Sequence, residues 1–543
     1  MKVINKIRGR LKSGAALVAL GIFLSRLAGL VRERVFAHYL GNSTAAGAFK
    51  AALRIPNFLQ NLFGEGVLSA SFIPVYARLL AENSAEIAGE LAGVIFCALA
   101  VVVSVLVLVG VLLTPWFVDL VAPGFQGETR DLTIHIVQIL FPGVGLLVLS
   151  AWCLGILNSH RKFFISYVAP VLWNAAMIIT LMFFGRREGQ SDLALHLAWG
   201  SVAGCVLQFG IQVPFVYRYA RHIRMGFNIA MVEVQRVFRN FGPVLVSRGV
   251  VQVSAYIDGM IASFLGASAV AGLAYAQTLY FLPIGLFGMS IAAAELPEMS
   301  SVSGEKIGGH AKLLARLASG RRKIAFFVVP SVVAFIFLGR SVVSALYETG
   351  AFGPEDTVYV WYILVGSTVG LLAATWGRVY SSAFYALGDT KTPLYFAVVR
   401  VLLTGILGWL FAFPLRPQLI QLLVLSGMRL PTLENIEMGM GAMGLTASAG
   451  LAGWVEFVLL KSALTKKIGS SNISALYQIS IWILALVTAF ATILLSPYLH
   501  FLLSKAGLFS LHHSLEPLCI VGFFGVLYLL LARIVSRCTS WLR

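Results

Sequence analysis

Residues 22–36 read I-F-L-S-R-L-A-G-L-V-R-E-R-V-F, and residues 48–67 read A-F-K-A-A-L-R-I-P-N-F-L-Q-N-L-F-G-E-G-V. Both runs are otherwise apolar enough to cross a membrane, yet they hold five cations: Arg26, Arg32, Arg34, Lys50 and Arg54. A charged side chain at the bilayer centre costs roughly 2.5–3.5 kcal/mol even on lenient insertion scales. Cations at that depth therefore need a wet cavity, an anionic partner or a paired network. On a helical wheel Lys50, Arg54, Asn57, Asn61 and Glu65 fall within an arc of about 80°. Such a stripe cannot face lipid, so it must face protein or water. On the first helix Arg26 and Glu33 share a face, flanked by Arg32 and Arg34. Pro56 predicts a kink beside Arg54.

Working outward from these two segments, composition sets the class. The chain has 543 residues, 59% of them hydrophobic and 12% charged, about half the charged content of a soluble domain. Apolar stretches of about 20 residues recur along it, each long enough to span the hydrocarbon core. They predict an all-α polytopic membrane protein of about fourteen transmembrane helices. The basic N-terminus is followed by no small-residue cleavage site, so the first apolar run is read as a retained helix.

The net charge of +18 comes from 41 Lys and Arg residues. With the N-terminus placed in the cytoplasm, 26 of them fall on the inner side, seven on the outer side and eight inside apolar segments. That asymmetry predicts both termini in the cytoplasm. It also assigns the basic loops to anionic lipid headgroups rather than to nucleic acid.

A second pattern concerns organisation. Leu40-Gly41, Ala46-Gly47, Pro56, Leu62-Phe63-Gly64 and Pro74 recur in order as Leu265-Gly266, Ala271-Gly272, Pro283, Leu286-Phe287-Gly288 and Pro297. Six helices separate the copies, which predicts a parallel repeat. The expected architecture is two six-helix lobes related by a pseudo-two-fold repeat, plus two C-terminal helices. The corresponding boundaries are 1–225 for the N-lobe, 226–467 for the C-lobe and 468–543 for the extra pair.

Each embedded charge has a structural and a functional reading. Arg34 and Lys50 lie near outer helix ends and are expected to snorkel to headgroups. Glu33 either neutralises an arginine or touches ligand. For Arg26, Arg32 and Arg54 anion binding is favoured over ion pairing, because the planar guanidinium donates two parallel hydrogen bonds to a phosphate. Arg248, Glu295, Arg378, Arg400 and Glu456 read as helix–helix tethers. Asp258 is the best candidate for a proton or cation site.

Enzymatic chemistry has no constellation here. The five cysteines lack metal-ligand spacing, and no G-K-[ST] phosphate loop is present, so any uphill work would draw on an ion gradient or the membrane potential. The basic loop 296–323 reads as an amphipathic helix lying on the inner leaflet, and 414–437 as a long outer loop.

Several segments carry a resemblance: S-R-L-A-G-L-V-R-E at 25–33, I-P-N-F-L-Q-N-L-F-G-E-G at 55–66, S-F-I-P-V at 71–75, G-I-L-N-S-H-R-K-F at 155–163, A-P-V-L-W-N at 169–174, T-G-A-F at 349–352 and A-L-G-D-T-K-T-P at 386–393. Through them the chain resembles the MurJ (MviN) family of lipid II flippases, within the multidrug/oligosaccharidyl-lipid/polysaccharide exporter superfamily. The resemblance implies fourteen helices in two lobes around a cationic cavity that holds the pyrophosphate of an undecaprenyl-linked peptidoglycan precursor. It also implies alternating access, a tail groove beside the last two helices, and residence in the bacterial cytoplasmic membrane.

On this reading the headgroup site comprises Ser25, Arg26, Arg32, Glu33, Arg54, Asn57, Asn61 and Glu65. Arg248, Asp258 and Arg378 are expected to supply supplementary charge or ion coupling. No cofactor or metal is expected. The implied partners are lipid II, membrane lipids and proteins of cell-wall synthesis. Against the family pattern, Gly47 stands where many members carry an acid, and Gln60 or Asn61 where an arginine is frequent. Tyr275-Ala276-Gln277-Thr278 lacks a cavity arginine, and Thr404 and Gly408 replace residues linked to sodium. A drug or polysaccharide exporter and a non-transporting membrane scaffold are the alternative classes.

Overall fold

The structure is a computed structural model that describes residues 14–303, 309–425, 436–470, 473–505 and 515–538; some side chains within these spans, among them those of Glu65 and Arg248, lie outside the description. Apart from an isolated bridge between Thr349 and Phe352, its regular elements are helical. In chain order they are α1 (Gly14–Leu40), α2 (Thr44–Phe63), α3 (Glu65–Ser71), α4 (Ile73–Ala81), α5 (Ala85–Leu112), α6 (Thr114–Val121), α7 (Gly127–Ser159), α8 (Phe163–Phe184), α9 (Gln190–Tyr219) and α10 (Val232–Phe264). There follow α11 (Ala267–Pro283), a π-helical turn (Ile284–Met289), α12 (Ser290–Ser303), α13 (Gly309–Phe337), α14 (Gly339–Tyr347), α15 (Pro354–Ala386), α16 (Lys391–Ala412), α17 (Arg416–Leu425), α18 (Ile436–Ile468), α19 (Ala475–Lys505) and α20 (Leu515–Cys538).

Among the described residues ten helices are long and apolar enough to cross a membrane, or eleven with the pair α13–α14, which bends by 83°. The helices α1, α2 and α10 fall outside that set, and all three carry charges well inside their length. The expected count of about fourteen is compatible with these numbers. The chain forms two compact units, Met1–Ala271 and Gly272–Arg543. The helix α10, counted with the C-lobe in the sequence, lies in the first unit, and the extra C-terminal pair α19–α20 lies in the second.

In the first unit, α1 ends at Gly41, whose positive φ of 56° is the left-handed cap that glycine adopts without strain. Ser43 then caps α2 by accepting from the Ala46 amide at 3.2 Å. The landmark repeat has local structural content: Gly266 also takes a positive φ, 104°, before α11 begins. Gly47 and Gly272 both sit at tight contacts, the first on the Ala267 carbonyl and the second on the Tyr359 ring. A core around Phe72, Tyr76, Leu91, Trp152 and Ile156 joins α4, α5 and α7, and Trp152 Nε1 donates to the Ala92 carbonyl at 3.1 Å.

Three expectations are corrected. The second helix is not continuous through the polar stripe, because it breaks at Gly64, and Glu65 begins the separate helix α3. Residues 309–323 are helical as expected, but they run on as the first half of α13 rather than forming a separate helix on the leaflet. Arg321 in that half is buried beneath the rings of Trp376 and Tyr380, at 4.9 and 5.7 Å. The stretch 414–437 contains the helix α17, with 426–435 outside the described residues. The last two helices dock on α13 through hydroxyls: Tyr477 donates to the Arg322 carbonyl at 3.1 Å and Tyr528 to that of Phe326 at 2.8 Å.

Candidate functional site

The first unit gathers its charges where α1, α2 and α8 meet. Glu33 is 5% exposed. Arg32 Nη2 donates to Glu33 Oε1 at 2.7 Å, and Lys50 Nζ donates to Glu33 Oε2 at 2.5 Å. Two cations on one carboxylate leave the trio with a net charge of +1. Aromatic faces complete the setting: the Arg32 guanidinium lies 4.9 Å from the Trp173 ring centroid, and Lys50 Nζ lies 4.3 Å from that of Phe36. Ring quadrupoles favour cations in such positions, most strongly where water is scarce. Trp173 is itself fixed, donating to Ser201 Oγ at 3.0 Å.

Lys50 corrects the sequence reading. Its side chain is 10% exposed and turned onto Glu33, so it does not snorkel to headgroups. The wheel had already placed it on the stripe with Arg54. Its nearness to the helix end outweighed that signal in the sequence, although α1 and α2 are close enough for the carboxylate to capture it.

Arg54 forms a second group, one turn further along α2. Its backbone carbonyl accepts from the Tyr256 hydroxyl at 2.7 Å. Its guanidinium rests directly on Gly259, where any Cβ would collide with it, and it feels the charge of the half-buried Asp258. Two predicted residues, Arg54 and Asp258, are thus brought together across α2 and α10. Beside them an apolar cavity of about 540 Å³ is lined by Ile55, Phe58, Leu106, Phe117, Phe141 and Tyr256, among others.

The remaining predicted residues are less engaged. Ser25 is half-buried and Arg26 exposed, and Arg26 makes no ion pair among the described residues. Asn57 is half-buried and Asn61 exposed. The side chains of Glu65 and Arg248 lie outside the described residues. Arg378 belongs to the second unit, on α15, and its side chain is exposed. Tyr256, Gly259 and Trp173 were missed by sequence reasoning. Trp173 alone had a signal, inside the A-P-V-L-W-N segment. Among the described residues no three His, Cys, Asp or Glu side chains are placed to hold a metal ion.

Membrane-length helices in two compact units, with cations held inside an apolar wall, define a multi-pass membrane transporter. The fold is similar to that of a solved lipid II flippase MurJ in an inward closed conformation. The TM-score is 0.74 at 24% identity, over 96% of this chain and 99% of that one. An inward-facing multidrug-resistance MATE transporter of the MOP superfamily follows, with a TM-score of 0.62 at 18% identity, over 84% and 99%. Both likenesses speak to the fold. In sequence, residues 36–512 match the family described as lipid II flippase MurJ. A probable lipid II flippase MurJ of Rhizobium tropici is 32% identical over 403 residues, 72% of this chain and 73% of that protein. The lipid II flippase MurJ of Burkholderia cenocepacia is 29% identical over 450 residues, 82% of each. The chain belongs to the lipid II flippase MurJ family.

Proposed function

We propose that this protein carries lipid II, the pyrophosphate-linked peptidoglycan precursor, from the inner to the outer leaflet by alternating access, for cell-wall synthesis. The observation that carries the reading is the Arg32–Glu33–Lys50 trio. It keeps a net positive charge in a wall that is otherwise apolar, and its arginine presents a planar fork suited to a phosphate. Glu33 does two things chemically. It offsets the mutual repulsion of its two cations, and it fixes their positions so that less ordering is left to be paid on binding. Ser25, Arg26, Arg32, Glu33, Arg54, Asn57 and Asn61 form the first-unit headgroup site in this account.

Transport further requires that the site favour the anion without holding it, because a ligand bound too tightly on one side is not released on the other. A net charge of +1 on the trio, rather than the +2 its cations alone would carry, is suited to that balance. Coupling to the membrane potential or to a cation gradient supplies the direction, and Asp258 beside Arg54 is the group placed to sense a cation. The protein resides in the bacterial cytoplasmic membrane with both termini inside, in contact with membrane lipids and with proteins of cell-wall synthesis. The test is rescue of a bacterium depleted of its own lipid II flippase. Growth on expression of this chain is expected; lysis despite normal membrane levels would overturn the reading.

A further inference from the structure

The first unit holds a large space that its charged groups do not fill. This is the cavity of about 540 Å³ beside α2, a volume within the range of small-molecule sites, about 300–1,000 Å³. Among the described residues no charged side chain lines it. The hydroxyl of Tyr256, which does line it, is turned onto the Arg54 carbonyl at 2.7 Å. A cavity walled in this way offers water no partners, stays dry and accepts an apolar ligand.

The walls follow from local sequence. A Cβ at Gly110, near the end of α5, would collide with the Phe141 ring. Glycine there lets that ring form a wall, with the Phe117 centroid 6.4 Å away. Phe58 and Tyr256, also in the lining, meet edge to face at 5.6 Å across α2 and α10. The loop after α6 is pinned to the end of α10: the Gly124 amide donates to Ser263 Oγ at 3.0 Å, and Ala122 and Phe125 are buried. Val109 and Leu120 line the cavity too, yet both are exposed, so its mouth opens on the flank of α5 and α6. Leu108 and Leu112 are exposed on α5 as well, and α5 is a helix of membrane length. Trp116, exposed on α6, is of the residue type that settles at the membrane–water interface. The mouth therefore meets the bilayer hydrocarbon just below its polar surface.

Charge beside the mouth narrows the ligand. With His135 counted neutral, residues 113–135 carry three carboxylates, Asp119, Glu128 and Asp131, against the single guanidinium of Arg130. All three acids are exposed. Arg130 is committed to Asp119, donating through Nε and Nη2 at 2.6 and 2.9 Å, and Asp131 stands 3.9 Å from its Nη1. The segment is left at −2, a rim that repels an anionic headgroup and attracts an ammonium.

We infer that this cavity binds one acyl chain of a bilayer phospholipid whose headgroup carries an ammonium, held at the acidic rim of α6 and α7. The inference does not rest on the cargo proposed above. Seated there, the chain packs against Phe58 and Tyr256 and braces α2 against α10, the two helices that hold Arg54.

The test uses the full-length chain, stripped of lipid in detergent and titrated with phosphatidylethanolamine or phosphatidylglycerol of the same acyl chains. Native mass spectrometry reads the lipid bound, and thermal unfolding reads the stabilisation. One phosphatidylethanolamine should be retained per chain, roughly two- to fivefold more tightly than phosphatidylglycerol, the weight of an exposed charge pair. Leu106→Trp fills the cavity from its wall and Leu120→Trp from its mouth. Each should weaken retention by roughly tenfold or more, and the lipid should raise the melting temperature of the wild type but not of these variants. Asp131→Asn should lower the headgroup preference and leave chain binding in place, a result that stands even where a filled variant fails to fold. Wild-type retention in the filled variants, or phosphatidylglycerol held as tightly as phosphatidylethanolamine by the wild type, would overturn the proposal. Displacement of the bound phospholipid by an equal concentration of geranylgeranyl pyrophosphate would make the occupant an isoprenoid chain, and the assignment would fall.

Discussion

Lys50 and Glu33 lie 17 positions apart on successive helices, yet the lysine Nζ closes to 2.5 Å of the carboxylate Oε2. The same carboxylate accepts from Arg32 through its other oxygen. One buried acid thus organises cations from two helices, and the pairing fixes how α1 and α2 face each other.

Removing that acid should be costly. Glu33→Gln removes the carboxylate to which both Arg32 and Lys50 donate, and breaking a buried pair in this way costs about 3–5 kcal/mol. The purified variant should melt well below the wild type, while Lys50→Arg, which keeps the charge and the donor, should stay close to it. An unchanged melting temperature for Glu33→Gln would show that the pair is incidental.

Gly47 accounts for one departure from the family pattern. Its α-carbon packs onto the Ala267 carbonyl within the first unit, so a side chain has nowhere to go. Gly47→Ala should destabilise by about 1–3 kcal/mol through overpacking, and Gly47→Asp, which installs the acid frequent in relatives, should do at least as much harm. Thermal unfolding of the two variants checks this; a stable Gly47→Asp protein would contradict the packing account.

Asp389, in the loop between α15 and α16, offers a pH-dependent prediction. Its carboxyl is drawn from an ordinary 3.8 to about 2, first by the hydrogen bond from Lys467 and then by those from Thr392. A depressed acid stabilises the fold above its unfolded-state value and loses that contribution as pH falls through its folded one. The melting temperature should therefore lose this component between about pH 4 and pH 2. Asp389→Asn should flatten that part of the profile while leaving the rest of the curve in place; an identical profile would remove the pair from the account.

The docking of the C-terminal helices can be tested separately. Tyr528→Phe removes a hydroxyl that donates to the Phe326 carbonyl at 2.8 Å, worth about 0.5–1.5 kcal/mol as a net hydrogen bond. Amide exchange should rise selectively in α20 relative to α7, whose core contacts are all made within the first unit. Uniform exchange across both helices would argue against a local tether.

Much of this was legible from periodicity alone. Apolar runs of membrane length gave the helices, and the Gly41 and Gly266 landmarks gave two turns that share a positive φ. The polar stripe from Lys50 to Asn61 was legible on the wheel. Its continuation to Glu65 was not, because a wheel assumes one unbroken helix and α2 breaks at Gly64. Lys50 was misread because depth along one helix says nothing about a carboxylate arriving from another. The pairing of Arg400 with Glu456 was not legible for a related reason: the two sit on different helices and share no spacing in the chain. Arg321 shows the same limit, since a basic run reads as a solvated face until Trp376 and Tyr380 close over one of its members.

The most direct test of the central claim uses Arg26, which makes no ion pair among the described residues and so can be removed without breaking the trio. Lipid II reaching the outer face of a flippase-depleted bacterium should be measured while the chain carries Arg26→Ala at wild-type membrane levels. The account predicts that outer-leaflet lipid II falls to the level of the depleted cells. Translocation at the wild-type rate would contradict it.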